Sequence, residues 1–202
     1  KGALAMLSLA EIVGSLRAVV GIVLGRPGAI KGLDVSYDGF WRSFLVIVPM
    51  APLLALGFFS QQKAIVEQSA LTADLLPTGQ LVFVYLLLIL VDLVAFPLAL
   101  ALLGRTLGIS ARFVPYVVAL NWLSLAVALP VGFVQLLHVA GIIAFPTAFD
   151  LQFVLMLGAL GLQYVVTRAV VGTPIPFSIG LVVFNLFLSL AAQSAIGRLF
   201  GF

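Results

Sequence analysis

Four polar side chains stand inside stretches of hydrocarbon: Asp92, Asn121, Gln163 and Asn185. Each lies in a different apolar run. At 1.5 Å of rise per helical residue, all four fall about 12–17 Å from the same-side ends of their helices. An acid and three amides meeting at one depth could hold a proton or cation, with Asp92 titrating and the amides acting as ligands or relays. The same set could instead act as glue, because hydrogen bonds between membrane helices contribute about 0.6–2 kcal/mol each. Tyr85, Ser124 and Tyr164 are candidate extra partners. A transport pathway ordinarily shows more than one acid deep within its spans, and these spans show only Asp92 there, Asp150 lying at the end of the fourth, so packing is the favoured role.

Other chemistries have less support. The chain has no cysteine and one histidine, His138. Thiolate metal sites are therefore impossible, and no second histidine or acid pair completes a zinc pattern. His138 reads as a polar anchor at the end of a span. The serines have no histidine placed to activate them, so a nucleophile–base–orienter set is not expected. The glycines form no phosphate-binding loop after a strand. No catalytic residue, metal or cofactor is expected. A net charge of +3 without a basic stripe gives no support to nucleic-acid binding.

The elements that must position these residues are membrane helices. The 202 residues are 63% hydrophobic and 8% charged, whereas soluble domains carry roughly 25% charged residues. The apolar residues come in blocks of bilayer length without the period-two alternation of a barrel. The expected fold is all-α: an integral membrane bundle of five transmembrane helices preceded by an interfacial amphipathic helix. Residues 1–39 form that helix and its connector. Residues 40–202 form the five-span domain, with spans at about 40–59, 80–103, 113–137, 149–171 and 177–196.

Residues 3–25 carry a polar stripe of Ser8, Glu11 and Ser15 beside Gly14, Ala18, Gly21 and Gly25. A helix lying in the interface keeps Glu11 and Arg17 near headgroups, which a span could not do. Pro49 and Pro52 imply a kink in the first span. Residues 60–79 read as a short amphipathic helix outside the hydrocarbon. Residues 139–145 are too short to cross and read as an interfacial or re-entrant piece.

Eight of the ten Lys and Arg residues fall on the side of the N-terminal region and the two turns that share it. Lys63 and Arg198 fall on the other. The asymmetry implies a cytoplasmic N-terminus and an outside C-terminus. Arg17, Trp41, Arg42, Arg105, Arg112 and Arg168 are the expected contacts to headgroups or the interface.

Val114-Pro115-Tyr116-Val117-Val118-Ala119-Leu120 opens the third span, and residues 162–172 (LQYVVTRAVVG) close the fourth before a short Pro-containing turn. With the amphipathic helix ending at Arg26-Pro27 and five spans, this layout resembles the Ypt/Rab-interacting (Yip) domain family in its bacterial form. The resemblance covers about residues 40–200. It implies a non-enzymatic five-helix membrane protein and carries over no functional residue. Ala/Leu/Val/Gly-rich composition with Arg over Lys suits a bacterial inner membrane. The expected function is a structural or accessory subunit organising lipid or partner membrane proteins, with the bilayer and other membrane proteins as partners. The alternative is a small proton- or cation-coupled transporter or channel using Asp92.

Overall fold

The structure, a computed structural model, describes residues 7–69, 72 and 76–201. Expectations for residues 1–6, and for most of 70–75, lie outside these. Every regular element among the described residues is helical. Five helices are long and apolar enough to cross a membrane. The chain is a membrane protein with an all-α bundle.

Helix α1 (Leu9–Val23) starts where the Ser8 hydroxyl accepts the Glu11 N–H at 3.1 Å. At 15 residues it is too short to span. It buries Ser15, Ala18, Val19, Gly21 and Ile22 against α5 and α6. Ser15, part of the polar stripe, therefore faces protein. Arg26-Pro27-Gly28 and a 3-10 turn at Ala29–Gly32 lead into α2 (Tyr37–Ser43), capped by Ser36.

Arg42 fastens this N-terminal unit. Its Nε donates to Glu11 Oε1 at 3.0 Å and its Nη2 to Asp34 Oδ2 at 2.5 Å. An arginine expected to reach headgroups is thus turned inwards, because two carboxylates from α1 and the connector lie within its reach. Hydrogen bonds from Ser36, then the Arg42 guanidinium, hold the Asp34 carboxyl below its ordinary 3.8. A lowered carboxyl contributes stability above its ordinary value and loses it as pH falls through the lowered one. Gly39 permits the arrangement, since a Cβ there would collide with the Asp34 backbone oxygen and carboxylate. Acidification into that range and Gly39→Val are both expected to lower the hydrogen-exchange protection factors of α1, relative to intrinsic rates at the same pH, and leave α5 protected. Unchanged α1 exchange in Gly39→Val would show that the clip does not secure α1.

A 3-10 turn at Phe44–Val46 joins α2 to α3 (Ile47–Gln68). The helix runs unbroken through Pro52 to Gln68, which corrects the separate amphipathic helix expected from residue 60. The turn before Ile47 absorbs the missing donor of Pro49, and Ser60 and Ala64 continue a buried face. α4 (Thr78–Leu103) contains Asp92 and Pro97, and α5 (Phe113–Val139) contains Asn121 and Pro130. α6 (Phe145–Val171) and α7 (Ile175–Phe200) follow. No re-entrant piece lies between α5 and α6. Gly141, at φ +74°, turns the chain directly into α6, which starts at Phe145 rather than near 149.

α5 is the central helix. Half of its most apolar window is buried, against 11–22% for the other four spans. It packs on α3 and α6 and touches α1, α2 and α4, while α7 bridges α4 and α6. On α4 the residues Leu86, Leu90, Val94, Leu98 and Leu102, four apart, are all exposed. One face of that helix therefore has hydrocarbon as its natural solvent. Trp122, Tyr116, Val117 and Val118 of α5 pack with Val166 and Val170 of α6 and Val19 of α1 in the core.

Candidate functional site

The four polar residues of the spans line one cavity of about 390 Å³ between α3, α4, α5, α6 and α7. Asp92 comes from α4, Asn121 and Ser124 from α5, Gln163 from α6 and Asn185 from α7. The remaining wall is mostly apolar, including Met50, Leu93, Phe96 and Leu160. The four do not bond to one another. Their partners divide them into two tied groups and two free amides.

Asp92 is tied to α7. Its Oδ1 accepts the Ser189 hydroxyl at 2.7 Å, and Gln193 Nε2 donates to the same Ser189 oxygen at 3.3 Å. Asp92 is also exposed at the bundle surface, so it stands at the mouth of the cavity. Neither Ser189 nor Gln193 was among the expected site residues. The signal was present, since Asn185, Ser189 and Gln193 follow one another at i, i+4 and i+8 along one helical face.

Asn121 is tied to α2 rather than to the layer. Its Nδ2 donates to Ser43 Oγ at 2.9 Å, and the Ser43 hydroxyl donates to the Phe40 carbonyl at 2.7 Å. Ser124 folds back on the Asn121 carbonyl at 2.6 Å and also faces Met50 Sδ at 3.6 Å. Both polar groups are thereby used in packing α5 against the α2–α3 segment.

Gln163 and Asn185 differ. Gln163 is 9% exposed, and its Nε2 is buried beside the Tyr116 hydroxyl without a partner in full hydrogen-bond geometry. Asn185 likewise makes no side-chain hydrogen bond among the described residues. A buried unsatisfied amide costs about 1–3 kcal/mol, and Gln163 carries one among the described residues, while the half-buried Asn185 lines the same cavity. Next to Gln163, its carbonyl accepts the Thr167 hydroxyl at 2.7 Å, and Thr167 Oγ1 pairs with the Tyr116 hydroxyl at 2.8 Å. That pair fixes α6 against α5 one turn from the cavity. Of the other candidate partners, Tyr85 donates to the Leu54 carbonyl at 2.9 Å, and Tyr164 does not line the cavity.

The interface residues occupy the end of the bundle formed by α1, the α4–α5 turn and the α6–α7 turn. Arg17, Arg105 and Arg112 are exposed there, as is Trp41 at 50%. Arg168 is exposed but donates to the Thr173 carbonyl at 2.5 Å, closing the turn in which Gly172 takes φ +73°.

At the opposite end, His138 is 0% exposed, which corrects its reading as an interface anchor. Its Nδ1 lies 2.8 Å from Ser60 Oγ and its Nε2 lies 3.2 Å from Glu67 Oε2. Lys63 Nζ donates to the His138 carbonyl at 2.6 Å and stands 3.7 Å from Glu67 Oε1. Ser60 and His138 are thus in contact, a serine–histidine pair that the sequence does not lead one to expect. Ser60, Lys63 and Glu67 share one face of α3 at i, i+3 and i+7. That face was unreadable as a site while residues 60–79 were taken for a separate surface helix. No group of acids, histidines or cysteines among the described residues could hold a metal ion.

No protein-family model, curated protein or solved structure matches this chain.

Proposed function

We propose that the protein is an accessory membrane protein that holds one amphipathic, lipid-like molecule in the central cavity. The observation that carries this reading is an otherwise apolar chamber, open beside Asp92, into which the half-buried Asn185 brings an amide without a hydrogen-bond partner among the described residues. A ligand with an apolar body and a carbonyl or hydroxyl head would pair with the Asn185 amide and leave its chain against Met50, Leu93 and Phe96. No nucleophile–base pair lines this chamber, so the role assigned to it is binding, without catalysis. The likeness of the layout to Yip-domain proteins supports an accessory role among other membrane proteins. The gathering of Arg17, Arg26, Lys31, Arg105, Arg112 and Arg168 at the α1 end supports a cytoplasmic N-terminus, in a bacterial inner membrane, by the positive-inside rule.

Native mass spectrometry of the protein released from nanodiscs of bacterial phospholipid tests the binding. One retained lipid mass per chain is expected at collision energies that strip surface lipid. Bare protein at those energies would overturn the proposal. A second reading, proton or cation coupling, has its own observation in the Gln193–Ser189–Asp92 chain at the cavity mouth. Under that reading Asp92→Asn abolishes proton-coupled flux in liposomes. Under the binding reading there is no such flux to lose, and Asp92→Asn alters the retained lipid.

A further inference from the structure

Ser60, His138 and Glu67 form a directed hydrogen-bond chain. With His138 carrying its proton on Nε2, that N–H donates to Glu67 (3.2 Å), and Nδ1 is left to accept the Ser60 hydroxyl (2.8 Å). Every polar atom of the imidazole is then used, and the tautomer is fixed by the carboxylate. This is the arrangement in which a serine hydroxyl is activated by a base that a carboxylate orients, with the two ring nitrogens exchanged relative to the usual order. Ser60 also lines a second cavity, of about 420 Å³, whose walls include Phe145, Phe149, Phe153 and Met156. Ser60, itself 6% exposed, therefore borders a chamber sized for an apolar chain, with the fully buried His138 packed behind it.

A third part is present. Gln135 of α5 lines the same chamber, and its amide packs on Gly57, one helical turn before Ser60. A Cβ at Gly57 would lie 3.2 Å from Gln135 Nε2. That amide makes no hydrogen bond among the described residues. A free N–H donor one turn from a nucleophile can meet the negative charge that develops on an attacked carbonyl oxygen.

We infer that Ser60, His138, Glu67 and Gln135 make an acyl-transfer site that hydrolyses carboxylic esters of apolar chains at the end of the bundle opposite α1. Ser60 Oγ bonds to the ester carbonyl carbon while its proton passes to His138 Nδ1. The carbon–oxygen bond to the alcohol breaks, and the alcohol leaves with the proton from Nδ1. Water then attacks the acyl-serine, gives its proton to Nδ1 and releases the acid. The proton returns to Ser60 Oγ. Ser60 and His138 are the catalytic residues, Gln135 stabilises the oxyanion, and Glu67 is a positioning residue. The activity is additional to ligand binding in the central cavity and stands or falls without it.

The test uses the full chain in detergent micelles with a fluorophosphonate bearing an alkyl linker, which reacts with activated serines. Covalent labelling mapped by mass spectrometry to Ser60 is expected, together with turnover of p-nitrophenyl decanoate. Ser60→Ala reduces both to background, while Ser194→Ala, on the exposed face of α7, retains both. Glu67→Gln lowers kcat about 10-fold or more with KM unchanged, a split that a purely structural role would not produce. Mapping the label on the unaltered chain identifies the nucleophile even if Ser60→Ala folds poorly. Absence of label and turnover in the unaltered chain, or labelling mapped to another residue, overturns the inference.

Discussion

His138→Ala is expected to lower unfolding stability by about 2–4 kcal/mol, a large loss for a single side chain. Two terms add. The ring is fully buried between α3, α5 and Phe145, whose centroid lies 6.1 Å away, so truncation leaves a cavity that neighbouring helices can close only partly. Two hydrogen bonds also vanish, and the Ser60 hydroxyl loses a buried partner. Lys63→Ala provides the contrast. Its ion pair with Glu67 spans 3.7 Å with both side chains about a third exposed, and its Nζ also donates to the His138 carbonyl, so its removal costs about 1–2 kcal/mol, less than the buried ring. Reversible unfolding in mixed micelles of detergent and sodium dodecyl sulfate, followed by helicity, measures both. A His138→Ala midpoint equal to that of Lys63→Ala would mean that the ring contributes nothing beyond what the Lys63 contacts do.

The depth of the polar residues was legible because it follows from helix rise and turn position alone. Asp92, Asn121, Gln163 and Asn185 do face one cavity. Which partner each takes was not legible. Asn121 bonds to Ser43 only because the short α2 folds back beneath α5, a placement fixed by the Arg42–Glu11–Asp34 clip rather than by any periodicity in the spans. The polarity of Ser60-Gln61-Gln62-Lys63 suggested solvent and hid the fact that α3 continues through it. Polar residues at a helix end can face a neighbouring helix as readily as water, and composition does not record which. The Ser60–His138 pair spans 78 positions, the same offset as Ser43–Asn121, so only the parallel packing of α5 beside α3, with α4 between them in the chain, could disclose it. Ser189 differs: its i+4 spacing from Asn185 is readable in the sequence and places it on the same face of α7.

Gln163→Met is expected to make the protein more stable, by about 1–2 kcal/mol, while releasing the molecule held in the central cavity. Methionine matches glutamine in length and volume, so packing in the chamber is conserved. What changes is the Nε2 group, which is buried without a partner in full hydrogen-bond geometry in the unliganded bundle. A buried donor left unpaired has given up water and received nothing in return, so replacing it with an apolar group recovers that cost. The carbonyl of residue 163 still accepts the Thr167 hydroxyl, so the local α5–α6 contact through Tyr116 persists. If the amide exists to meet a ligand, stability and binding must move in opposite directions. Asn121→Leu makes the comparison decisive. Its amide is satisfied by Ser43 at 2.9 Å, so the same kind of substitution there destabilises by leaving the buried Ser43 hydroxyl without its donor. Unfolding midpoints of the delipidated variants, read beside lipid retention in native mass spectrometry, give both quantities. A Gln163→Met variant that is less stable than the unaltered chain, yet keeps its lipid, would make Gln163 a packing residue and not a ligand contact.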